Sequence, residues 1–448
     1  MADTFELLAD FVEAACVPLD AGHAGGTLER AEALLAAHPE LAGAGIEAAA
    51  ILGDDAGVRR FLAADTATAV RQRGPRGWDP LTYLCFSRYL RLDPARSDGF
   101  VRAAAILLDA GASPATGFSQ DDEFECVLYG AAGVAHHAGL TRLLLERGAD
   151  PNDGETVYHT PESYDNTALK LLVESGRLNH ESLTVMLARK HDWHDGDGVQ
   201  WLLEHGADPN RMSRWGRSAL QQALLRDNAL AIIELLLEHG ADPRIECHGQ
   251  SALAVAARAG RGDVLELVER RGLSTDLAGV LRLIAACASR DAARVAEIAE
   301  REPQLVRELL AEGAELLVEF AGVGNTEGAR LLLDLGVAVD ARCEKGDGYF
   351  DVASDSTALH VAAWRAWPAT LKLLLERGAS VDAQDARGRT PLALAVRACV
   401  DSYWTQRRSP ESVAALLEAG ASVGSVPFPS GYAAVDELLR SRRRFDPA

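Results

Sequence analysis

The stretch that decides the fold runs from Ser356 to Leu392 and reads STALHVAAWRAWPATLKLLLERGASVDAQDARGRTPL. It contains two short apolar segments suited to helices, ALHVAAW and ATLKLLLE, separated by a few residues. Gly378 follows the second segment, and glycine at that position commonly ends a helix in the left-handed conformation. Thr390 and Pro391 then stand where a cap and a first helical residue would begin the next helix. The stretch therefore predicts a helix, a tight connection, a second helix and a turn.

The same pattern recurs along most of the chain. Leucine-rich segments such as TRLLLERGADPN, IIELLLEHGADP and LKLLLERGASVD end in glycine and are followed by polar turn residues. The glycines that end these segments are Gly111, Gly148, Gly206, Gly240, Gly272, Gly336, Gly378 and Gly420. A second phrase, rich in Ala and Leu, follows each complete turn, as in RSALQQAL and QSALAVAA. Because one helix pair is too small to bury its own apolar face, the units are expected to stack on one another.

These units resemble the ankyrin repeat, which has a period of about 33 residues and a T-P-L-H-x-A signature. TALHVAA, which contains His360, and RTPLALAV, which begins at Arg389, carry that signature. The resemblance implies an all-α solenoid of stacked helix-turn-helix units with β-turn fingers. It also implies a divergent, bacterial-type member with about eleven repeats. In the family the signature histidine bonds between neighbouring turns, so His360 is expected to be structural.

The repeat pattern divides the chain into four segments. Residues 1–76 are expected to form irregular repeats or a cap, 77–276 ankyrin repeats, 277–341 degenerate repeats, and 342–448 further ankyrin repeats with a capping helix. The spacing across 153–209 predicts one unit with two insertions, one that lengthens its turn and one that separates its helices.

Composition bounds the class of protein. The chain has 448 residues, 48% of them hydrophobic, and a formal net charge of −21. An acidic chain is a poor nucleic-acid binder unless its basic residues cluster. The basic run Arg440, Arg442, Arg443 and Arg444 is interpreted as the solvated end of the last helix. We therefore expect no nucleic-acid partner.

The cysteines and the N-terminus indicate the compartment. Seven cysteines lie far apart without a CxxC pair, which argues against disulfides and against a compact zinc module. The first residues, MADTFELLADF, are acidic where a signal peptide would be basic, and no long apolar run suits a membrane span. These features predict a cytoplasmic monomer that does not enter a membrane.

The segment KHDWHDGDG is the strongest candidate for chemistry. It supplies histidine and carboxylate groups of the kind that bind zinc and other divalent metals: His191, Asp192, His194, Asp195 and Asp197. Alternatively, the segment is a polar connection in which Asp195 or Asp197 caps the next helix and Trp193 packs. Both interpretations are open from the residues, although the second is favoured and no metal ligand is assigned.

No other motif predicts catalysis. The sequence lacks GxSxG, HExxH and a phosphate-binding GxxxxGK[ST] loop. His136 and His137 fall in a tight connection, where a turn role is expected. The glycines of AGVGNTEG (residues 321–328) suggest a dinucleotide loop only superficially, because no strand precedes them. We therefore predict no catalytic residue and no cofactor.

Aromatic residues in otherwise polar turns are the candidate partner-binding residues. The resemblance implies recognition through the turn tips and the concave face, and exposed aromatic side chains make good binding anchors. The candidates are Trp78, Phe118, Tyr158, Tyr164, Trp215, Tyr349, Phe350, Trp364 and Trp404. Each could instead pack within its own unit. The long turns 153–165 and 343–356 are expected to set specificity, because long loops in a short-loop fold are usually functional or disordered.

The sequence thus favours a non-catalytic scaffold or adaptor that binds a protein partner. Two alternatives stay open. One is a metal-dependent enzyme or metal-binding protein that uses residues 191–197, and the other is an acidic inhibitor that occupies a basic surface. The identity of the partner is not encoded in the repeat pattern, since repeat arrays bind unrelated targets.

Overall fold

The structure is a computed structural model that describes the backbone of residues 2–424 and 426–445. It is mostly helical, with a few short strands. The chain forms two compact units. The first comprises Met1–Gln222 with Glu238–Ala241, and the second comprises Ala223–Leu237 with Asp242–Ala448.

The first unit consists of short helices and one hairpin. Its helices are α1 (Ala2–Ala15), α2 (Glu29–Ala37), α3 (Ile46–Ile51), α4 (Asp55–Ala64), α5 (Pro80–Cys85), α6 (Arg88–Leu92), α7 (Ser97–Asp109), α8 (Val127–Tyr129), α9 (Ala138–Glu146), α10 (Gly154–His159), α11 (Thr167–Glu174), α12 (His180–Asp192) and α13 (Gly196–Glu204). Helix α14 (Ala219–Leu225) spans the boundary. Strands β1 (Gly117–Gln120) and β2 (Glu123–Cys126) pair antiparallel.

The second unit continues the same construction. Its helices are α15 (Leu230–Glu238), α16 (Ala252–Arg258), α17 (Gly262–Arg270), α18 (Val280–Ala288), α19 (Ala292–Arg301), α20 (Pro303–Ala311), α21 (Gly313–Gly322), α22 (Thr326–Asp334), α23 (Ala358–Trp364), α24 (Pro368–Glu376), α25 (Pro391–Val400), α26 (Glu411–Glu418) and α27 (Ala433–Phe445). Strands β3 (Glu246–Cys247) and β4 (Gln250–Ser251) pair antiparallel. Helix α27 includes the predicted basic run, but the side chains of Arg443 and Arg444 lie outside the described residues.

The second helices of the repeats end as the sequence predicts. Gly148 has φ 96°, and the amide of Ala149 donates to the carbonyl of Leu144 at 3.0 Å. At Gly378 φ is 85°, and the next amide makes the equivalent bond over the same length. This left-handed stop satisfies carbonyls that the helix itself leaves unpaired. The predicted helix ends are therefore confirmed.

The core forms by stacking of successive helices. In the second unit α21 packs on α23, and α23 on α25, so each short helix buries its apolar side against its neighbour. The seven cysteines are all buried and unbridged, as small hydrophobic residues would be. His360 accepts from the amide of Thr357 at 3.1 Å and donates to the carbonyls of Ala383 and Arg389 at 3.0 and 3.1 Å. Its predicted role between neighbouring turns is confirmed.

The region 153–209 differs from the expected single unit with insertions. It holds four helices, α10 to α13, and α12 packs on α13. Helix α10 packs on α12, and α11 packs on α9. The carboxylate of Asp153 accepts from the amide of Thr156 at 2.7 Å and so starts α10 inside the stretch interpreted as a lengthened turn. That helix lacks a leucine pattern, which is why the periodicity missed it.

The turns between repeats are partly β-paired. In the long turn 343–356, Asp347 and Val352 exchange backbone hydrogen bonds at 2.8 and 2.9 Å. The expected β-turn fingers are therefore present, with backbone pairing that stiffens them. Among the described residues, no helix is long and apolar enough to cross a membrane.

Candidate functional site

The cluster at 191–197 forms the end of one helix and the cap of the next. His191 is fully buried in α12, and its Nδ1 donates to the carbonyl of Leu187 at 2.7 Å. Asp195 caps α13 by accepting from the amide of Gly198 at 3.1 Å. The ammonium of Lys190, fully buried, donates to the Asp195 carboxylate at 2.7 Å. Structural hydrogen bonds therefore occupy His191 Nδ1 and the Asp195 carboxylate, two of the groups that had suggested a metal site.

Burial sets the ionisation of these groups. It lowers the pKa of His191 to about 4, so the imidazole is neutral at physiological pH. Burial also lowers the pKa of Lys190, and its bond to Asp195 opposes that shift. For Asp195 burial acts to raise the pKa, but hydrogen bonds from Lys190, Asn166 and Gly198 outweigh it and lower the pKa.

A metal site at 191–197 is not supported. Among the residues whose side chains the structure describes, no three His, Cys, Asp or Glu side chains come together in a way that could hold a metal ion. Trp193 packs edge-on against Tyr164, with ring centroids 5.9 Å apart. The geometry is that of the polar connection, with a cap at Asp195 and a packed tryptophan.

Two of the candidate aromatic residues are buried in the first unit. Trp78 and Phe118 stack with their ring centroids 4.4 Å apart, and both side chains are shielded from solvent. Phe86 packs edge-on against Phe118, and Tyr83 lies against Trp78. The expectation that Trp78 and Phe118 are exposed anchors is wrong, because hairpin β1–β2 folds Phe118 onto the start of α5.

Two more are buried in the second unit. The indole of Trp364 donates to the carbonyl of Phe350 at 2.6 Å, and the indole of Trp404 donates to the carbonyl of Trp364 at 3.0 Å. Their rings meet edge-on, with centroids 5.2 Å apart. Trp364 and Trp404 are therefore internal packing groups, and the expectation of exposure is wrong for them as well.

Tyr158 and Trp215 form an aromatic pair at the surface of the first unit. Their ring centroids lie 6.0 Å apart, and Trp215 stands in an exposed turn whose Gly216 has φ 68°. The guanidinium of Arg214 lies over both rings, 5.1 Å from the centroid of Tyr158 and 4.8 Å from that of Trp215. Arg189 covers Tyr158 at 4.0 Å. The pair thus presents apolar rings and one exposed arginine together.

Tyr164, in the turn that follows α10, is a further exposed aromatic residue, and its ring lies against Trp193. Tyr164 is 68% exposed, the largest exposure among the nine candidate aromatic residues. Arg189 pairs with Glu162, two residues before Tyr164, and with Asp192, and it donates to the carbonyl of Tyr158 at 3.3 Å. We name the group Tyr158, Tyr164, Arg214 and Trp215 the aromatic surface.

A charged network around His159 lies next to Tyr158, whose ring packs edge-on against the imidazole. His159 lies 3.2 Å from Glu155 and 3.1 Å from Glu162, measured between ring nitrogen and carboxylate oxygen. Burial alone would lower the pKa of His159, but the two carboxylates raise it to about 9. The imidazolium and its partners hold α10, and with it Tyr158, in a fixed orientation.

Tyr349 and Phe350 lie in the long turn of the second unit and are partly exposed. Their rings meet edge-on with centroids 4.8 Å apart, and Arg365 covers Phe350 at 3.9 Å. Arg226 lies over Tyr349 at 4.1 Å. Both residues therefore pack within the unit and keep part of their surface accessible.

Sequence reasoning did not select the arginines. Arg214 was detectable, because it precedes Trp215 in the same turn. Arg189 carried no signal, because it lies within α12 and only the fold places it over Tyr158.

The comparisons with known proteins agree with the repeat architecture. The sequence profile described as ankyrin repeats matches residues 185–276 and 283–426 in three copies, which is more than half of the chain. The chain belongs to the ankyrin-repeat family. Domains of this family are generally protein–protein interaction modules and are typically non-catalytic.

Solved structures similar to the chain are also ankyrin-repeat domains. The human ASB11 ankyrin repeat domain is 22% identical, over 59% of this chain and 98% of that one, with a TM-score of 0.25. The ankyrin repeat domain of Bcl-3, described as a unique member of the IκB protein family, is 19% identical, over 52% and 97%, with a TM-score of 0.23. No curated protein matches the chain.

Proposed function

We propose that the protein is a non-catalytic scaffold or adaptor that binds a protein partner through its turn tips. The observation that carries the proposal is the aromatic surface of the first unit. The ring centroids of Tyr158 and Trp215 lie 6.0 Å apart beneath an exposed guanidinium, and Tyr164, in the turn that follows α10, stands mostly in solvent. Tyr, Trp and Arg are the side chains most enriched at the energetic centres of protein interfaces.

The rigidity of the aromatic surface also supports the proposal. Arg189 is held by Glu162 and Asp192, and the amide of Gln222 donates to Asp192 at 2.6 Å. Tyr158 therefore loses little conformational entropy when a partner covers it. An anchor fixed in this way gives more affinity for each unit of buried area than a mobile one.

The test is native mass spectrometry of the protein gently captured from its own cells. A stoichiometric partner protein should accompany the wild type and should be lost from the double variant Tyr158→Ala/Trp215→Ala. The matched control is Phe5→Ala, which removes a ring that is 59% exposed but lies outside the aromatic surface. Retention of the partner by the double variant, or absence of any stoichiometric partner, would contradict the proposal.

A further inference from the structure

Arg407 has an unusual environment in the second unit. It lies in the connection between α25 and α26, which spans residues 401–410. Its guanidinium lies over the rings of two tryptophans, 4.3 Å from the centroid of Trp367 and 5.5 Å from that of Trp404. Both rings are fixed, because the indole of Trp367 donates to the carbonyl of Gly322 at 2.7 Å and that of Trp404 donates to the carbonyl of Trp364.

The charge of Arg407 forms no ion pair with an acidic side chain among the described residues, although the charge of Asp227, which pairs with Arg365, also acts on it. Its guanidinium forms no hydrogen bond or ion pair there, and Nε is shielded from solvent without an acceptor. The residue as a whole is only partly shielded from solvent. A guanidinium charge that is partly desolvated without a counter-ion is stabilised when a carboxylate reaches its terminal nitrogens.

Neighbouring arginines show that the unit otherwise pairs such groups. Arg365 also lies over Trp404, at 4.7 Å, but it forms an ion pair with Asp227 at 2.5 Å. Arg397 covers Trp364 at 4.7 Å and pairs with Asp351 at 2.5 Å. Arg407 is stacked on aromatic rings as Arg365 and Arg397 are, but no carboxylate among the described residues forms an ion pair with it.

The neighbourhood favours an anion. Burial and the positive charge of Arg365 lower the pKa of Arg407 to about 10, so the group remains charged at neutral pH. Arg408, the next residue, donates from Nε to the Ser402 hydroxyl at 3.4 Å and from one terminal nitrogen to the Ser402 carbonyl at 2.7 Å. Tyr403 lies in the same connection, is 91% exposed and offers an aromatic contact.

We propose that Arg407 binds a carboxylate of an acidic segment in a partner protein, with the carboxylate oxygens accepting from the terminal guanidinium nitrogens. The planar fork of arginine matches a carboxylate in this bidentate geometry. Phosphorylated segments are instead bound by clusters of arginines, and here Arg365 is already paired with Asp227 while Arg408 donates to Ser402.

This site belongs to the second unit and shares no residue with the aromatic surface. It concerns the chemistry of a ligand group and does not require that the aromatic surface bind anything. The two proposals therefore fail independently.

The probe is a fluorescein-labelled peptide of six glutamates, followed by fluorescence anisotropy. The salt concentration is 0.15 M, where the Debye length is about 8 Å and long-range repulsion is screened. Arg407→Gln should weaken binding about tenfold, since a hydrogen-bonded charge is lost. Arg407→Lys should weaken it less, because it keeps the charge but loses the planar fork.

The matched control is Arg301→Gln, which removes the same charge from a side chain that is 74% exposed in α19. It should change the affinity less than twofold. Absence of binding by the wild type, or equal losses in Arg407→Gln and Arg301→Gln, would overturn the proposal. Full displacement of the peptide by an equal concentration of inorganic phosphate would also overturn the choice of a carboxylate. Circular dichroism identical to wild type shows that the Arg407 variants are folded.

Discussion

Lys190 and Asp195 form an ion pair in which the ammonium donates to the carboxylate at 2.7 Å while both side chains are buried. The ammonium also donates to the carbonyl of Ser163 at 2.6 Å, and the carboxylate accepts from Asn166 at 2.9 Å. The pair thus joins the turn before α11 to the connection between α12 and α13. The acidic residue that had suggested a metal ligand holds two repeats together instead.

We predict that Lys190→Met lowers the free energy of unfolding by about 3 kcal/mol, because it leaves Asp195 buried without its cation. Urea unfolding followed by circular dichroism measures the loss. Adding Asp195→Asn should recover part of it, since asparagine still caps α13 without a charge. The control is Arg301→Gln, whose exposed partner is Glu297 at 2.9 Å, and it should cost less than about 1 kcal/mol. A loss from Lys190→Met no larger than that of the control would contradict the prediction.

Acid should destabilise the protein partly through His191. Its pKa is about 4 in the folded state and 6.5 in the unfolded state, so the unfolded chain binds the proton more readily. The stabilisation is therefore present above pH 6.5 and is lost as the pH falls toward 4, with a total of about 3 kcal/mol. His191→Asn removes the titrating ring while keeping a donor for the Leu187 carbonyl. Unfolding free energies at pH 4.5 and 7 should show a smaller pH dependence in the variant, and an unchanged difference would refute this role.

His159 should behave in the opposite way. Its pKa of about 9 lies above that of the unfolded state, so its ion pairs stabilise the fold below pH 6.5 and are lost as the pH rises through 9. A nuclear magnetic resonance titration of the ring measures the pKa directly. Glu155→Gln should lower it, because one of the two carboxylates is removed. A pKa near 6.5 in the wild type would show that the network does not hold the imidazolium.

Gly324→Ala should destabilise the second unit by about 3 kcal/mol. Gly324 has φ 73°, and a Cβ there would collide with the ring of Trp367, so backbone strain adds to overpacking. The control is Gly378→Ala, where φ is 85° but nothing lies within 4 Å of the added carbon. That variant should cost only about 1–2 kcal/mol. Equal losses in urea unfolding would mean that the contact with Trp367 is not tight.

The features that the sequence predicted correctly are local ones. Gly378 ends its helix, His360 links neighbouring turns, and Asp195 caps α13, because each depends on residues close in the chain or on the next repeat. The repeat family followed from the same local periodicity. The second interpretation of the segment at 191–197 was correct for the same reason, since a cap needs only the three residues that follow it.

The candidate site was predicted less well. Tyr158, Tyr164 and Trp215 keep exposed surface, whereas Trp78 and Trp364 are buried, although all five stand in or beside polar turns. The difference arises from residues distant in sequence, because a turn aromatic is covered only if a neighbouring turn folds over it. The guanidinium of Arg189 lies over the ring of Tyr158 for the same reason, and no sequence pattern predicted that contact.

The sequence by itself determined the repeating helix pairs, their stop signals and their caps, since these depend on backbone preferences and hydrogen bonds within a few residues. Only the tertiary structure decided which aromatic rings are exposed and which carboxylate pairs with each arginine. It also decided that Arg407 forms no ion pair among the described residues and that its Nε has no acceptor there. Burial and charge pairing depend on how successive repeats are placed against one another. That placement follows from the packing of whole helix faces, which no single segment encodes.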